Sequence, residues 1–298
     1  MKVIDSQVET VVQGPGIVGM LKHIELIGRV SHKSEDKIGE RTYVKFIEML
    51  RESGHWACFD MGTVYLKVPL FRFGLIHKLL SKSPWTRWTR SGWYYYITTT
   101  YRVILQLGLE REMEKYWSEP GPKHYYRATA KFTCSRFIAN QIVRHASLRP
   151  LQESMRYINY GREKFGNIIY ILPQWAYKNG KKLGLSSKGE ELWQELLDKG
   201  DSVALGRNAM WEKAESEYMS EISQGLRPED ARGALPLDTK TDIYLCGYLY
   251  DWYRPDLMGP EKSGFFPLRS ATSTQSDLRV LSIELESQFK KLGYDSRK

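Results

Sequence analysis

Apolar residues follow two different periods along this chain, and this switch limits the possible folds more than any other feature. Alternating runs rich in strand formers predict β-strands. These runs lie at about 1–12, 63–68, 94–100, 125–133 and 167–172. Apolar residues spaced three and four apart predict helices. These stretches lie at about 17–30, 39–52, 135–145, 190–197, 203–224 and 275–292, and another helix starts at 227–230. Strands gathered early and helices late are typical of α+β proteins.

No shift in composition divides the 298 residues, and the sequence contains no internal repeat. A chain of this length can bury a sizeable core in one elaborated domain or in two modest ones. We therefore expect one domain over 1–298, with a central mixed or antiparallel sheet flanked by helices. The stretch between the strands at 63–68 and 94–100 is basic and aromatic and carries Gly and Ser, which indicates a long connection or an insertion.

Charge and cysteine content narrow the class of protein. A formal net charge of +9 suits nucleic acid, an anionic membrane surface or phosphorylated small ligands. No apolar run approaches the roughly 20 residues that cross a bilayer, and the N-terminal residues lack the apolar stretch of a signal peptide. The three cysteines are scattered and form no CxxC pair, so neither a disulfide framework nor a metal site is expected. We expect a reducing, cytoplasmic setting and no membrane partner.

The densest basic cluster, at 82–90, also contains Trp85 and Trp88. Basic residues beside aromatic ones can form a platform on which the bases of single-stranded nucleic acid stack. A solvated hairpin explains the same pattern without a ligand, and it is the favoured interpretation.

The segment 132–160 carries side chains well suited to hold an anion. Gln141, Arg144 and His145 are three and four residues apart, so on a helix they share one face. Arg156 adds a planar guanidinium that can bind a phosphate through two hydrogen bonds, and Ser154 adds a small donor. A helix end whose Arg and His are solvated or cap carbonyls accounts for the same residues without a ligand. Residue types alone leave both interpretations open.

The order of these residues resembles the signature of the flavin-dependent thymidylate synthases. That signature reads R-H-R-x-x-S and continues, after a short spacer, with S-x-R-Y. The matching positions hold Arg144, His145, Ser154, Arg156 and Tyr157. The stretch 152–160 also resembles the family variant Q-E-S-x-R-Y-C-N-Y. Two positions depart from the signature, since Ala146 replaces its second arginine and Arg149 replaces its first serine.

Other stretches resemble the same family in the same order along the chain. Residues 28–31 are similar to A-R-V-S, 54–60 to G-H-x-T-P-F-E, 228–236 to x-E-x-A-R-x-x-L-P, and 268–278 to L-R-x-x-x-x-x-Q-x-E-I. The resemblance is interrupted at about 70–124, which we treat as a basic aromatic insertion, and again at about 254–264. It implies the family's fold over most of the chain.

The resemblance implies a site for a pyrimidine nucleotide monophosphate such as dUMP. The substrate-binding residues that it implies are Gln141, Arg144, Gln152, Ser154, Arg156, Arg232 and Arg269. Arg156 would hold the phosphate, and Ser154 and Arg232 would be catalytic. A cation such as Arg232 near the ring oxygens stabilises the negative charge that develops when the ring is activated. In the family these motifs meet across subunits, which implies a homotetramer.

The cofactor side departs further from the family, whose cofactor is FAD. The cofactor-binding residues that the resemblance implies are Ser31, His55, Asp60, Arg144, His145, Tyr248 and Tyr250. Tyr248 and Tyr250 stand where the family motif N-L-R-E-W has Asn and Arg, so an amide and a cation have become phenols. Ala57 and Ser273 likewise replace Thr and His. The expected flavin site has lost positive charge, unless a residue such as Arg149 compensates.

The resemblance therefore implies a one-carbon transferase that acts on carbon 5 of a pyrimidine nucleotide with methylenetetrahydrofolate as co-substrate. A methyl product requires an electron pair, which reduced flavin supplies in the family after NADPH recharges it. A hydroxymethyl product requires only water, and the altered flavin contacts favour that outcome or a changed pyrimidine. The alternative is a catalytically altered homologue that binds nucleotides, or binds nucleic acid through the basic aromatic insertion.

Overall fold

The computed structural model describes residues 1–31, 33–82, 85–156, 158–161, 167–177, 188–253 and 264–295. Its strands are β1 (Lys2–Ile4), β2 (Gln7–Val11), β3 (Thr63–Pro69), β4 (Arg87–Ser91), β5 (Tyr94–Thr100), β6 (Arg127–Ser135), β7 (Arg149–Gln152), β8 (Ile169–Ile171) and β9 (Lys240–Tyr248). Its α-helices are α1 (Gly16–Val30), α2 (Thr42–Glu52), α3 (Phe73–Leu80), α4 (Tyr101–Leu107), α5 (Glu110–Tyr116), α6 (Arg136–Ile142), α7 (Gly189–Asp198), α8 (Ser202–Ser223), α9 (Pro228–Ala231), α10 (Leu249–Tyr253), α11 (Phe265–Arg269) and α12 (Ser276–Lys291). Short 3-10 helices lie at Glu35–Lys37, Trp56–Asp60, Gln174–Ala176 and Arg232–Ala234. The motif residue Tyr157 and most of the predicted insertion at 254–264 lie outside the described residues.

A four-stranded antiparallel sheet in the order β2-β6-β9-β7 forms the centre of the fold. β6 and β9 pair along their whole length, from Arg127 opposite Tyr248 to Ser135 opposite Lys240. The sheet, α6, α11 and α12 share one apolar core, in which Phe132, Trp252 and Phe289 are fully buried. Burial of such large side chains contributes roughly 1.5 to 3 kcal/mol each. The expected α+β fold with an antiparallel central sheet is confirmed.

The strand β9 was missing from the sequence-based assignment, which placed strands early and helices late. Its residues are buried on both faces from Ile243 to Tyr248, so its sequence does not alternate between apolar and polar positions. A Cβ atom on Gly247 would lie 2.3 Å from Leu148 Cδ2, so glycine permits the close approach of the loop that leads into β7. The strand with no periodic signal is therefore an inner strand of the central sheet.

A second sheet, in the order β3-β5-β4, is also antiparallel and joins β4 to β5 by a tight hairpin. Gly92 adopts a φ of +58° in this turn, a conformation that glycine accepts without strain. The inner face of the sheet and helices α1 to α5 share one core, which includes Ile24 of α1, Leu79 of α3 and Ile97 of β5. Much of the stretch 70–124 is thus built into a core that also includes the N-terminal helices.

A third core lies under the two-stranded parallel pair β1-β8 and helices α7 and α8. Tyr170 stacks on Trp211 with ring centroids 4.7 Å apart, and Trp193 packs 4.8 Å from Trp211. Such aromatic pairs add roughly 0.5 to 1.5 kcal/mol beyond the area that they bury. Within the described residues, no helix combines the length and the apolar content needed to cross a membrane.

Helix α6 is shorter than the predicted stretch 135–145. Ser135 caps its first turn by accepting a hydrogen bond from the Ile138 N–H, and the helix ends at Ile142. The His145 N–H then bonds to the Ile142 carbonyl as the chain turns toward β7. Gln141, Arg144 and His145 therefore do not share one helical face, and that expectation was wrong.

Candidate functional site

The loop that follows β7 brings three of the matched motifs together. Gln152 ends β7 and donates to the Thr241 hydroxyl of β9 at 3.2 Å. The Ser154 N–H donates to the Ser31 carbonyl at 3.3 Å, which joins this loop to the end of α1. Ser31 thus lies beside a predicted substrate residue, although the resemblance implied a cofactor role for it.

Glu153 anchors this loop to β9. Its carboxylate accepts hydrogen bonds from the Asp242 N–H at 3.0 Å and from Lys240 Nζ at 3.1 Å. Lys33 Nζ lies 3.1 Å from the other oxygen, close enough for an ion pair but not aligned for a hydrogen bond. The Glu153 side chain is only 1% exposed, so these partners offset the cost of burying its charge. The resemblance covers Glu153 within the stretch 152–160 but implies no role for it.

Arg156 and Arg232 both contact Glu229 within this one chain, whereas the resemblance implied that their motifs meet across subunits. Arg156 Nε lies 3.5 Å from a Glu229 carboxylate oxygen, and Arg232 Nε donates to the Glu229 carbonyl at 3.0 Å. Arg227 also pairs with the Glu229 carboxylate, at 2.9 Å. Pro228 opens α9 and places Glu229 in its first turn, where an acid is favoured. The Glu229 carboxylate thus contacts Arg156 and Arg227, and the Glu229 backbone carbonyl contacts Arg232.

Arg136 belongs with these cations, although the sequence analysis assigned it no role. Burial lowers the pKa of Arg136, and nearby Glu153 opposes that effect whereas Arg232 adds to it. Its Nη1 atom is buried without a hydrogen-bond partner. A donor left in this state is expected to gain from an anionic ligand. We call Arg136, Arg156, Arg227, Arg232 and Glu229 the Glu229 cluster.

A second set of predicted substrate residues lies at the other end of α6. Gln141 donates to the Gln275 side chain at 2.6 Å. Arg269 donates through Nη2 to the Gln141 carbonyl at 2.9 Å and through Nε to His145 Nε2 at 2.7 Å. Arg144 lies past the helix end, exposed, and its charge lowers the pKa of Arg269 further than burial alone. We call Gln141, His145, Arg269 and Gln275 the His145 cluster.

His145 is a neutral hydrogen-bond acceptor in this cluster. Burial, and then the positive charge of Arg269, lower its pKa to about 4. Because arginine can only donate, Nε2 carries the lone pair and the ring proton lies on Nδ1. The ring also packs on Phe265 with centroids 4.9 Å apart. His145 is thus held by the fold rather than presented as a free cation.

A third set surrounds the altered cofactor motif. Tyr248 is buried, its hydroxyl donates to the Thr98 carbonyl at 2.7 Å, and the Trp85 carbonyl lies 3.0 Å away. Arg87 of β4 stacks over Tyr248 at 4.6 Å and over Tyr250 at 4.7 Å. Arg87 also forms an ion pair with Asp251 at 3.1 Å. We call Arg87, Arg149, Tyr248, Tyr250 and Asp251 the Tyr248 cluster.

A cavity of about 100 Å³ opens inside the Tyr248 cluster. Its lining includes Arg87, Arg127, Arg149, Ala146 and Ser147. The Arg149 guanidinium lies 3.3 Å from the centre of the Trp85 ring, and its Nε atom has no hydrogen-bond partner. Cations from other parts of the chain, Arg87 and Arg149, therefore lie beside the altered motif.

These residues do not fit the flavin contacts that the resemblance implies. The Tyr248 hydroxyl is engaged inside the protein, and Arg87 covers Tyr250. The cavity is well below the roughly 300 to 1,000 Å³ typical of pockets for larger organic ligands. Asp60 lies nearby, where it pairs with Arg102 at 3.0 Å and its carbonyl accepts from Arg127. His55 lies exposed at the other end of the Trp56–Asp60 helix and bonds to Ser53.

The fold and the site together define an α+β protein with clustered cations suited to a phosphorylated ligand. Residues 120–292 match the family described as thymidylate synthase complementing protein, and this covers more than half of the chain. The chain belongs to this family.

Two relatives carry the name flavin-dependent thymidylate synthase. The protein from Synechocystis sp. is 25% identical over 165 residues, which cover 55% of this chain and 66% of that protein. The protein from Pyrococcus furiosus is 24% identical over 204 residues, which cover 67% of this chain and 70% of that protein. The chain thus spans about two thirds of the length of these curated relatives. The UMP/dUMP methylase PolB from Streptomyces cacaoi, bound with 5-Br dUMP, superposes with a TM-score of 0.42 at 15% identity, covering 98% of this chain and 93% of that one.

Proposed function

We propose that this chain transfers a one-carbon unit from methylenetetrahydrofolate to carbon 5 of a pyrimidine nucleotide such as dUMP. The observation that carries the proposal is the meeting of Arg156 and Arg232 at Glu229, beside Ser154, in a family whose relatives are named thymidylate synthases.

In this proposal Arg136, Arg156 and Arg232 of the Glu229 cluster bind the nucleotide. The Arg156 side chain is 55% exposed and its contact with Glu229 is long, so the ion pair contributes only about 0 to 1 kcal/mol. A nucleotide phosphate can displace that carboxylate and accept from Arg156 and from the unpaired Nη1 of Arg136. Ser154 then lies beside the phosphate as a further donor.

Arg232 is placed to act on the pyrimidine ring. Loss of the N3 proton places negative charge on the ring oxygens and makes carbon 5 nucleophilic. Carbon 5 then attacks the folate methylene, which forms a carbon–carbon bond and breaks one of the two carbon–nitrogen bonds that hold the methylene in the folate. A guanidinium held in advance near those oxygens stabilises that charge, and one such donor is typically worth roughly 3 to 4 kcal/mol. Loss of the carbon 5 proton restores the ring. Water then displaces tetrahydrofolate from the methylene by breaking the remaining carbon–nitrogen bond, and this gives a hydroxymethyl group.

No cysteine nucleophile takes part in this scheme. The three cysteines are buried free thiols. Burial raises the pKa of Cys58 to about 11 and raises the pKa of Cys134 further, so both stay protonated at neutral pH.

Product analysis with labelled methylenetetrahydrofolate tests the proposal. We expect label at carbon 5 of dUMP, UMP or dCMP, with mass spectrometry showing a gain of CH₂O for hydroxymethylation or of CH₂ for methylation. A methyl product that appears only with FAD and NADPH would support a working flavin branch. Tight nucleotide binding without label transfer to any of the three would instead identify a catalytically altered homologue.

FAD binding is expected to be weak in the parent chain, because two family guanidinium positions are occupied by Ala146 and Tyr250. The double substitution Ala146→Arg and Tyr250→Arg should tighten binding tenfold or more, since a charge-assisted contact contributes roughly 1.5 to 3 kcal/mol. Tyr248→Asn adds the third family residue but removes a buried ring, so its unfolding must be measured alongside. Quenching of FAD fluorescence reports the affinity, with Ala146→Met and Tyr250→Met as the matched control. Submicromolar binding by the parent would show that Arg87 and Arg149 already compensate.

We also propose a homotetramer in which the Glu229 cluster of one subunit and the His145 cluster of another complete one site. Support comes from their placement at opposite ends of α6, although both carry predicted substrate residues. Arg156→Ala and Gln141→Ala are expected to be inactive alone and to regain a fraction of the parent rate when refolded together. Arg156→Ala mixed with Arg232→Ala should not recover, because both changes lie in the same cluster. Full activity of a monomer in sedimentation experiments would overturn this assembly.

A further inference from the structure

Residues 61–109 contain no Asp or Glu. They contain seven basic residues, Lys67, Arg72, Lys78, Lys82, Arg87, Arg90 and Arg102. This acid-free stretch therefore carries +7 of the chain's net charge of +9. A field of one sign concentrated in one segment attracts polyanions over a Debye length.

Most of this charge is not neutralised within the fold. Arg87 pairs with Asp251 and Arg102 pairs with Asp60. In the part of the chain that the structure describes, the other five basic residues form no ion pair with a carboxylate. Lys67 instead lies over the Tyr94 ring at 4.3 Å and over the Tyr96 ring at 6.0 Å. Such contacts orient a cation without cancelling its charge.

The same stretch exposes aromatic rings. Phe71 is 75% exposed and Trp93, at the tip of the β4–β5 hairpin, is 78% exposed. The Leu70 N–H donates to the Trp93 carbonyl at 2.9 Å, which holds the turn after β3 against the hairpin tip. Tyr94 and Tyr96 lie on one face of β5, and Lys67 of β3 is the cross-strand partner of Tyr96. We call Lys67, Phe71, Arg72, Trp93, Tyr94 and Tyr96 the aromatic–basic platform.

We propose that the aromatic–basic platform binds single-stranded nucleic acid. Trp93 and Tyr94 are both exposed, so each can receive an unpaired base. Lys67 lies over Tyr94 and Arg72 follows exposed Phe71, so both cations can contact the phosphates that join the stacked bases. A sheet face with neighbouring rings and flanking cations is a form of surface on which several RNA-binding modules stack bases.

Charge decides between this partner and a second copy of the chain. An isologous contact would bring each platform against its own image and place unpaired cations face to face. A polynucleotide supplies the opposite charge and planar rings at once. Duplex DNA matches the charge, but its paired bases cannot stack on the tyrosines.

Fluorescence anisotropy with labelled oligo(dT) and oligo(U), compared with a duplex of equal length, tests the platform. We expect saturable binding of the single strands that weakens with salt, with a slope near −0.7 per phosphate contact in a double-logarithmic plot. Trp93→Ala combined with Tyr94→Ala should weaken binding by tenfold or more, as loss of stacking on one ring typically costs roughly 5- to 150-fold. Lys67→Gln combined with Arg72→Gln should flatten the salt slope by about 1.4.

Matched variants separate the platform from general effects of charge and aromaticity. Trp175→Ala and Lys213→Gln change exposed residues of the same types on other elements and should leave binding unchanged. Trp93→Phe with Tyr94→Phe should keep most of the affinity. The one-carbon assay with free nucleotide should be unaffected in every platform variant, so a failure of the proposed enzyme activity and a failure of the platform can be told apart.

Three results would overturn the proposal. One is oligonucleotide binding that persists in the Trp93→Ala, Tyr94→Ala variant. Another is tighter binding to anionic phosphatidylserine vesicles than to the oligonucleotides, which would assign the platform to a membrane surface. The third is dissociation of the assembled protein by the same variant in sedimentation, which would assign the platform to an interface between copies.

Discussion

Glu153→Ala is expected to lower the free energy of unfolding by roughly 3 to 5 kcal/mol, which is the usual cost of removing one partner from a buried ion pair. The substitution leaves Lys240 buried beside only Asp242, and it removes the acceptor of the Asp242 N–H. It also releases Lys33 at the end of the α1 segment. A loss of this size is a large fraction of the stability of a typical domain.

Urea unfolding followed by circular dichroism measures the effect as a fall in the midpoint at an unchanged slope. Glu195→Ala serves as the control, because Glu195 forms an exposed ion pair with Lys199 and its removal should cost about 0 to 1 kcal/mol. Glu153→Gln should fall between the two, since an amide can still accept from Asp242 but carries no charge. A loss below about 1 kcal/mol for Glu153→Ala would show that Glu153 does not anchor the motif loop.

The elements that could be predicted from sequence are those with a strong local signal in residue type or spacing. Helix α1, strand β3 and strand β5 appear close to their expected positions, because α1 has apolar residues at helical spacing and the two strands are rich in β-branched and aromatic residues. Strand β9 lacks alternation and contains Asp242 and Gly247, residue types that are depleted in strands. The end of α6 at Ile142 carries no Gly or Pro signal, so the periodic pattern ran past it.

Some contacts of the candidate site could not be predicted from the sequence either. The contacts of Arg156 and Arg232 with Glu229 in one chain were not anticipated, because the matched motifs implied only that both arginines bind the nucleotide. Arg87 could not be anticipated at all, because it lies 164 residues from Asp251 and belongs to a stretch that the family resemblance does not cover. Arg87 reaches Tyr248 and Tyr250 only through tertiary packing. The local motif shows that Tyr248 and Tyr250 are changed residues, whereas only the fold shows that Arg87 lies over them.

Arg156→Ala is expected to weaken binding of dUMP by roughly 2 to 5 kcal/mol, or about thirtyfold or more, when the site is desolvated around the phosphate. The physical reason is that a guanidinium can give a phosphate two parallel charge-assisted hydrogen bonds, which alanine cannot replace. The side chain is 55% exposed in the single chain. The lower end of this range therefore applies unless a second subunit covers the site.

Titration calorimetry with dUMP measures this loss, and Arg227→Ala provides the matched control. Arg227 pairs with the same Glu229 carboxylate at 2.9 Å, but it lies outside the matched motif positions and is more exposed than Arg156. If Arg156 acted only by balancing the charge of Glu229, the two alanine variants would behave alike. We expect Arg227→Ala to bind dUMP within about threefold of the parent, as is usual for an exposed ion pair. Arg156→Lys should recover part of the affinity, since lysine keeps the charge but loses the paired geometry. Arg156→Ala binding as tightly as the parent would show that the nucleotide phosphate is held elsewhere.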